Sequence, residues 1–229
     1  MATRILVLQG HPDPQPDRFG RALTATYAES ARAAGHEVRH FDLGGVEIPL
    51  LRTAAEWEQG QVPEALRPLQ EGLRWCQHLL LCYPMWLGDL PAHTKAALEQ
   101  VLRPGITAPG GDRGPGEFKP LKGRSAHVVV TMGMPGFIYR WFYRAHSLKS
   151  LERNVLRFVG FGPVRHTLIG LVASPSPKMH ARWLERMRRA GAEARWCRVR
   201  LGVSRQPEPR LLPFAAQRRV QRALSDSLA

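Results

Sequence analysis

HLLLCYPMWLGDLPAHTKAALEQVL, residues 78–102, reads as an apolar strand, a break at Tyr83-Pro84, a short loop and a helix. Leu79, Leu80, Leu81 and Cys82 are apolar without alternation, the pattern of a strand buried on both faces in the middle of a parallel sheet. Pro91 suits a first helical turn, where a missing N–H costs nothing. Ala92, Ala96, Ala97, Val101 and Leu102 then recur on one face, with Lys95, Glu99 and Arg103 off it. Folding alone has no need of the Met-Trp pair in the intervening PMWLGD. A loop at the carboxyl end of a central parallel strand is where open α/β sheets bind ligands, so this loop reads as part of a cofactor site.

Working outward, residues 4–10 hold a second apolar strand, Ile5 to Leu8, followed by GHPDPQPDRF. Prolines at 12, 14 and 16 exclude helix and sheet interior there and leave a stiff loop. Asp17 is the expected N-cap of a helix carrying Phe19, Ala22, Leu23, Tyr27 and Ala31 and ending at Gly35. A strand over 37–43 follows, then irregular chain over 46–62 and a helix over 63–76 weakened by Pro68. Residues 104–123, rich in glycine and proline, form a long loop and a plausible lid.

AHVVVTM, residues 126–132, is another buried strand, broken by Gly133-Met134-Pro135-Gly136 and followed by FIYRWFYRAH. Helical spacing returns at Leu151, Val155, Leu156 and Val159; residues 164–172 supply a fifth strand, and Ser176-Pro177 opens a last helix with Met179, Trp183, Met187 and Ala190 buried. This alternation predicts a doubly wound α/β domain over 1–202, with five parallel strands in the order 2-1-3-4-5 and helices on both faces. Residues 203–229 read as a basic, poorly ordered tail. In that order the loops after strands 1, 3 and 4 converge on the switch point.

The formal charge of +14 invites a nucleic-acid or membrane reading, yet much of it lies from Arg182 onward. A solvated last helix and tail account for it, with attraction of anionic cofactors, membranes or nucleic acid as the alternative. Cys76, Cys82 and Cys197 lack metal-ligand spacing, and their odd count argues against a disulfide framework. The amino-terminal apolar run is too short for a signal peptide, so the expected location is cytoplasmic.

GHPDPQPDRFGRAL, YPMWLGDLPAHTKAALEQVL and TMGMPGFIYRW resemble the three cofactor loops of the flavodoxin-like NAD(P)H:quinone reductases, in matching order across roughly residues 5–196. The resemblance implies a bound flavin, FAD or FMN, reduced by NAD(P)H and reoxidised by a quinone in a two-electron ping-pong reaction. It places His11, Arg18 and Phe19 at the phosphate and ribityl chain, on the amino end of the first helix. It places Pro84, Met85, Trp86 and Leu87 at the isoalloxazine edge through backbone N–H groups, and Thr131, Met132, Gly133 and Met134 against the ring. Arg18 and Gly20 stand where the family commonly has Ser and Asn; Arg18 either substitutes charge for a neutral hydrogen bond or is a surface residue. Met132 and Met134 replace Thr and Gly of the family pattern and suggest a softer, apolar wall for substrate. Tyr139 matches the family's catalytic tyrosine, and His146 stands one residue from its histidine. A homodimer is implied as well, with the aromatic cluster at 137–143 as its contact.

Competing classes leave thinner traces. No G-x-G-x-x-G follows the first strand, no G-x-S-x-G occurs, and no metal motif appears. An FMN-dependent azo- or nitroreductase-like enzyme is the near rival, and a regulatory accessory subunit of a cation efflux system the distant one. The tail offers peripheral membrane or efflux-protein contact; no specific nucleic-acid partner is expected.

Overall fold

The computed structural model describes residues 2–103, 119–173 and 176–194. Strands β1 (Arg4–Gln9), β2 (Glu37–Asp42), β3 (His78–Pro84), β4 (Ser125–Thr131) and β5 (Val164–Ile169) form one parallel sheet in the order β2-β1-β3-β4-β5. The expected order is the observed one. Helices α1 (Phe19–Ala33), α2 (Ala54–Gln59), α3 (Arg67–Trp75), α4 (Ala92–Leu102), α5 (Gly136–Trp141), α6 (His146–Ser150) and α7 (Pro177–Ala192) connect and cover it, α6 running into a π-helical turn over Leu151–Leu156.

Continuous apolar strands are required because the sheet is covered twice. Ile5, Val7, Leu80, Cys82 and Val129 pack with Tyr27 of α1 and Met187 of α7. Leu6, Leu8, Leu79, Leu81 and Val128, pointing the other way by the period of two, pack with Leu69 and Leu73 of α3 and Val101 of α4. α7 lies close against α1 because Gly191 has no side chain: a Cβ there would stand 2.3 Å from the Tyr27 carbonyl oxygen. Ser30 Oγ adds a 2.7 Å hydrogen bond to the Arg188 carbonyl.

Several local expectations are corrected. Arg18, not Asp17, is the N-cap of α1, and no side chain caps it. The helix expected over 63–76 is a 3-10 turn, Glu64–Leu66, followed by α3, which puts Pro68 in a first turn where it is tolerated. The irregular stretch contains α2, held by Thr53, whose side chain accepts from the Glu56 N–H. This stretch straps α4 at both ends: His93 Nε2 lies 2.7 Å from the Val46 carbonyl, Gln100 Nε2 donates to the Pro49 carbonyl at 2.8 Å, and Arg103 donates to the Glu56 carbonyl. Arg103, expected off the buried face, is therefore buried. Strand β5 stops at Ile169, short of 172, because Leu171 is left-handed. The loop at 104–118, Cys197 and the tail at 203–229 lie outside the described residues.

Candidate functional site

Parallel strands deliver their following loops to one edge, and hydrogen bonds tie the loops after β1, β3 and β4 together there. Gly10 N–H donates to the Cys82 carbonyl at 2.7 Å, and Thr94 Oγ1 donates to the Gly10 carbonyl at 2.6 Å. A Cβ on Gly10 would meet Thr94 and β3 at 3.0–3.1 Å, so glycine lets the first loop press onto the third strand.

Beyond Gly10 the loop is built by its own side chains. His11 N–H donates to Gln9 Oε1 at 3.2 Å, and Asp13 N–H donates to His11 Nδ1 at 3.1 Å. The second bond leaves the His11 proton on Nε2. Burial lowers the His11 pKa, with Arg18 and Arg21 adding to the effect against the opposing pull of Asp13. Gln15 N–H donates to Asp13 Oδ1 at 3.0 Å and Arg18 Nε to Oδ2 at 2.7 Å, and these bonds hold the Asp13 carboxyl below its usual range. Arg18 is thus bound into its own loop. Arg21 pairs with Asp42 at the end of β2 and donates from Nη2 to the Asp13 carbonyl at 2.8 Å.

α1 begins at this loop with no capping side chain; the Arg21 N–H turns back to the Arg18 carbonyl at 2.8 Å, which leaves those of Phe19 and Gly20 for an anion. The Phe19 ring is stacked on His180 of α7, centroids 4.2 Å apart and planes inclined by 25°. Sequence reasoning missed His180, although His180, Trp183, Met187 and Gly191 repeat at helical spacing.

After β3, Trp86 N–H donates to the Asp89 carbonyl at 2.9 Å and Asp89 N–H returns to the Trp86 carbonyl at 3.0 Å. The residues between, Leu87 (φ 47°) and Gly88 (φ 81°), are both left-handed, which defines a two-residue hairpin turn of the I′ type. The turn exposes Leu87 fully and Trp86 by half. Trp86 meets His11 edge-on, centroids 5.8 Å apart at 87°. Met85 N–H donates to the Thr131 carbonyl at 2.7 Å. The expectation that N–H groups across 84–87 face a ring therefore narrows to Leu87, since Pro84 has none and those of Met85 and Trp86 are engaged.

After β4, Met132 is buried in the core; its N–H donates to the Ile169 carbonyl at 2.9 Å and its carbonyl accepts from Val172 at 3.1 Å. It packs beneath the loop and is no wall for a ligand. Gly133 is exposed with no heavy atom within 4 Å of where a Cβ would stand, and Met134 is half-buried beside it. Tyr139 and His146 are not brought to these loops as a pair. Tyr139 is buried, its hydroxyl 2.7 Å from Ser147 Oγ and accepting from the Leu148 N–H at 3.1 Å, while His146 is exposed.

The open first turn of α1, the His11–Trp86 contact and the bare backbone at Gly88 and Gly133 suit a flat ring with an anionic tail. Among the described residues no group of His, Cys, Asp and Glu is placed to hold a metal ion, and no helix is long and apolar enough to cross a membrane.

Sheet order and gathered loops together define a doubly wound α/β protein of flavodoxin type. The chain matches the family described as having a flavodoxin-like fold over residues 3–190, and it belongs to that family. It is 29% identical over 178 residues to an FMN-dependent NADH:quinone oxidoreductase 2 of Pseudomonas fluorescens, a match covering 71% of this chain and 84% of that one. An NAD(P)H:quinone oxidoreductase from Methanothermobacter marburgensis superposes with a TM-score of 0.68 at 23% identity, covering 84% of this chain and 99% of the other. An FMN-dependent NADH-azoreductase from Bacillus anthracis, solved in complex with FMN, superposes with a TM-score of 0.64 at 13% identity, covering 83% and 98%.

Proposed function

We propose that this chain is an FMN-dependent NAD(P)H:quinone oxidoreductase working by a two-electron ping-pong cycle. The observation that carries the reading is the convergence of the three loops at the switch point, with His11 against Trp86 and an uncapped helix beside them. FMN, when bound, would supply the redox chemistry that carries a hydride equivalent from nicotinamide to quinone.

The chain's own groups bind and orient. The N–H groups of Phe19 and Gly20 at the start of α1 would hold the phosphate, with the helix dipole favouring its charge. His11, neutral with its proton on Nε2, is a donor beside them. Trp86, the Leu87 N–H and Gly133, whose missing side chain would let a flat ring approach the backbone, are the groups that would hold the ring. Arg18 acts through Asp13, fixing the loop rather than contacting the cofactor. Tyr139 holds the turn after α5 in place; we assign it positioning. FMN is favoured over FAD because the curated relative is named for it.

The test is the visible spectrum of the purified protein incubated with FMN and freed of excess. Retained flavin bleached by NADH or NADPH and recoloured by a quinone is the expected result. Recolouring by an azo compound but not by any quinone would shift the reading to an azoreductase; bound but inert flavin would point to a regulatory role. Failure to retain flavin overturns the proposal.

A further inference from the structure

Every polar group of Asp13 is bonded. Its carboxylate accepts from the Gln15 N–H and from Arg18, its own N–H donates to His11 Nδ1 at 3.1 Å, and its carbonyl accepts from Arg21 Nη2 at 2.8 Å. The bond to His11 sets the tautomer of that ring and leaves Nε2–H as its donor. Whatever fixes the Asp13 backbone therefore also fixes how His11 presents that donor.

Arg21 reaches Asp13 from the first turn of α1 while its other amino group, Nη1, pairs with Asp42, the last residue of β2. Asp42 Oδ1 in turn accepts the Gly44 N–H at 2.8 Å. One guanidinium thus joins the loop after β1 to the end of β2, with a fork that a lysine cannot supply. The Arg21 side chain is only 16% exposed, unlike the freely solvated ion pairs that contribute little. Glycine at 44 makes room for it, because a Cβ there would collide with Arg21 Nη2 and stand 3.0 Å from the Pro14 Cα.

A second support divides the work. The His11 N–H donates to Gln9 Oε1 at 3.2 Å, and Gln9 Nε2 donates to Thr24 Oγ1 at 3.3 Å. Gln9 and Thr24 are both buried, and the Leu43 N–H ties the Gln9 carbonyl to the end of β2 at 2.9 Å. Thr24 stands three residues after Arg21, so both supports rise from one face of α1. Gln9 and Thr24 hold the backbone of His11; its ring is left to Asp13 and Arg21.

We propose that Arg21, locked by Asp42 over Gly44, is a positioning residue that acts through Asp13 to aim the His11 ring at the phosphate end of the cofactor. The arrangement of the four residues stands on the structure, while the phosphate as their target rests on the function proposed above. Arg21 makes no contact with the flavin ring in this assignment, so its effect is confined to ligands that carry the phosphate.

The test uses the full chain and two readouts. Two-bond proton–nitrogen NMR correlations of the imidazoles, at a pH well above the ordinary histidine value of about 6.5, report the His11 tautomer without any flavin; the signals lost in His11→Gln assign it. Wild type is expected to show the Nε2–H tautomer alone, and Arg21→Met a mixture of both. Fluorescence titration should then show FMN affinity reduced about tenfold in Arg21→Met, the scale of a lost charge-assisted hydrogen bond. Riboflavin, which lacks the phosphate, should bind within about twofold of wild type. Circular dichroism checks folding. Should Arg21→Met not fold, Gly44→Ala, which keeps both partners of the ion pair but fills the space of the guanidinium, is expected to give the same two changes. An unchanged His11 tautomer in a folded variant overturns the proposal, and so does an equal loss of FMN and riboflavin, which marks a general structural role. If wild type retains no flavin, the proposed function fails and the tautomer measurement alone decides whether Arg21 positions His11.

Discussion

His11 and Trp86, one from the loop after β1 and the other from the loop after β3, meet edge to face with ring centroids 5.8 Å apart. Each residue is also anchored within its own loop. His11 is held between the Gln9 side chain and the Asp13 N–H, and Trp86 by the paired backbone bonds of its own turn. Two loops from neighbouring strands therefore present one preformed corner, and a ligand seated there meets groups that need little reordering.

Trp86→Ala removes one wall of that corner. FMN affinity should fall about tenfold, the scale of a lost aromatic contact, while stability shifts by less than about 0.5 kcal/mol because the side chain is half exposed. Trp86→Phe should retain most of the affinity. Fluorescence titration of FMN and a thermal melt separate the two effects; unchanged affinity in the alanine variant removes Trp86 from the site.

Leu87 occupies a conformation that costs an L-residue roughly 1–2 kcal/mol, and its side chain gains nothing in return because it is fully exposed. Leu87→Gly should stabilise the chain by about 1 kcal/mol after the entropy cost of glycine, raising the melting temperature by about 2–4 °C. A fall in melting temperature would mean that the leucine makes a stabilising contact in solution.

The parts of the fold legible in the sequence are those that local physics decides. Leu79 to Cys82 announced a doubly covered strand, and the prolines between Gly10 and Arg18 announced a stiff loop. α2 escaped because none of its residues is buried, so it has no apolar period; the trace present was Thr53 three residues before Glu56, a capping signal. Leu87 gave no warning, since leucine is an uncommon choice for a left-handed turn position. The Phe19–His180 stack and the burial of Arg103 are nonlocal, joining segments whose spacing says nothing of their contact. The aromatic content of residues 137–143 was plain, but which rings face inward was not. Tyr139 is buried while Trp141 and Phe142 are exposed, a division made by the turn at Arg144 and Ala145.

Tyr139→Phe tests whether that tyrosine positions or reacts. The substitution leaves the Leu148 N–H and Ser147 Oγ without their shared partner, which should cost about 1–2 kcal/mol and lower the melting temperature by a few degrees. Well below that temperature, turnover with NADH and a quinone should stay within about twofold of wild type, short of the 10²–10⁴-fold that loss of a proton donor carries. A large fall in kcat with the melting temperature unchanged would instead make Tyr139 a catalytic residue.

Two histidines at the sheet's interior set an acid limit on stability. His78 is buried with Nδ1 2.7 Å from Ser125 Oγ, and burial pushes its pKa down to about 3. His127, paired with Thr167 Oγ1 at 2.9 Å, is pushed down to about 4, by burial first and by Arg165 and Arg186 after it. In the unfolded chain both titrate near the ordinary value of about 6.5. Above that pH neither state carries the proton and the full stability is present. As the pH falls through about 6.5, the unfolded chain binds a proton that the native state refuses, so stability drops by up to about 1.4 kcal/mol per pH unit for each group. The loss continues until the native pKa is reached, about 4 for His127 and about 3 for His78. Urea midpoints measured from pH about 7.5 to about 5 should therefore decline, and His78→Gln, which can still bond Ser125, should flatten the slope by about one proton. An unchanged slope in that variant would mean that His78 takes up its proton in the native state.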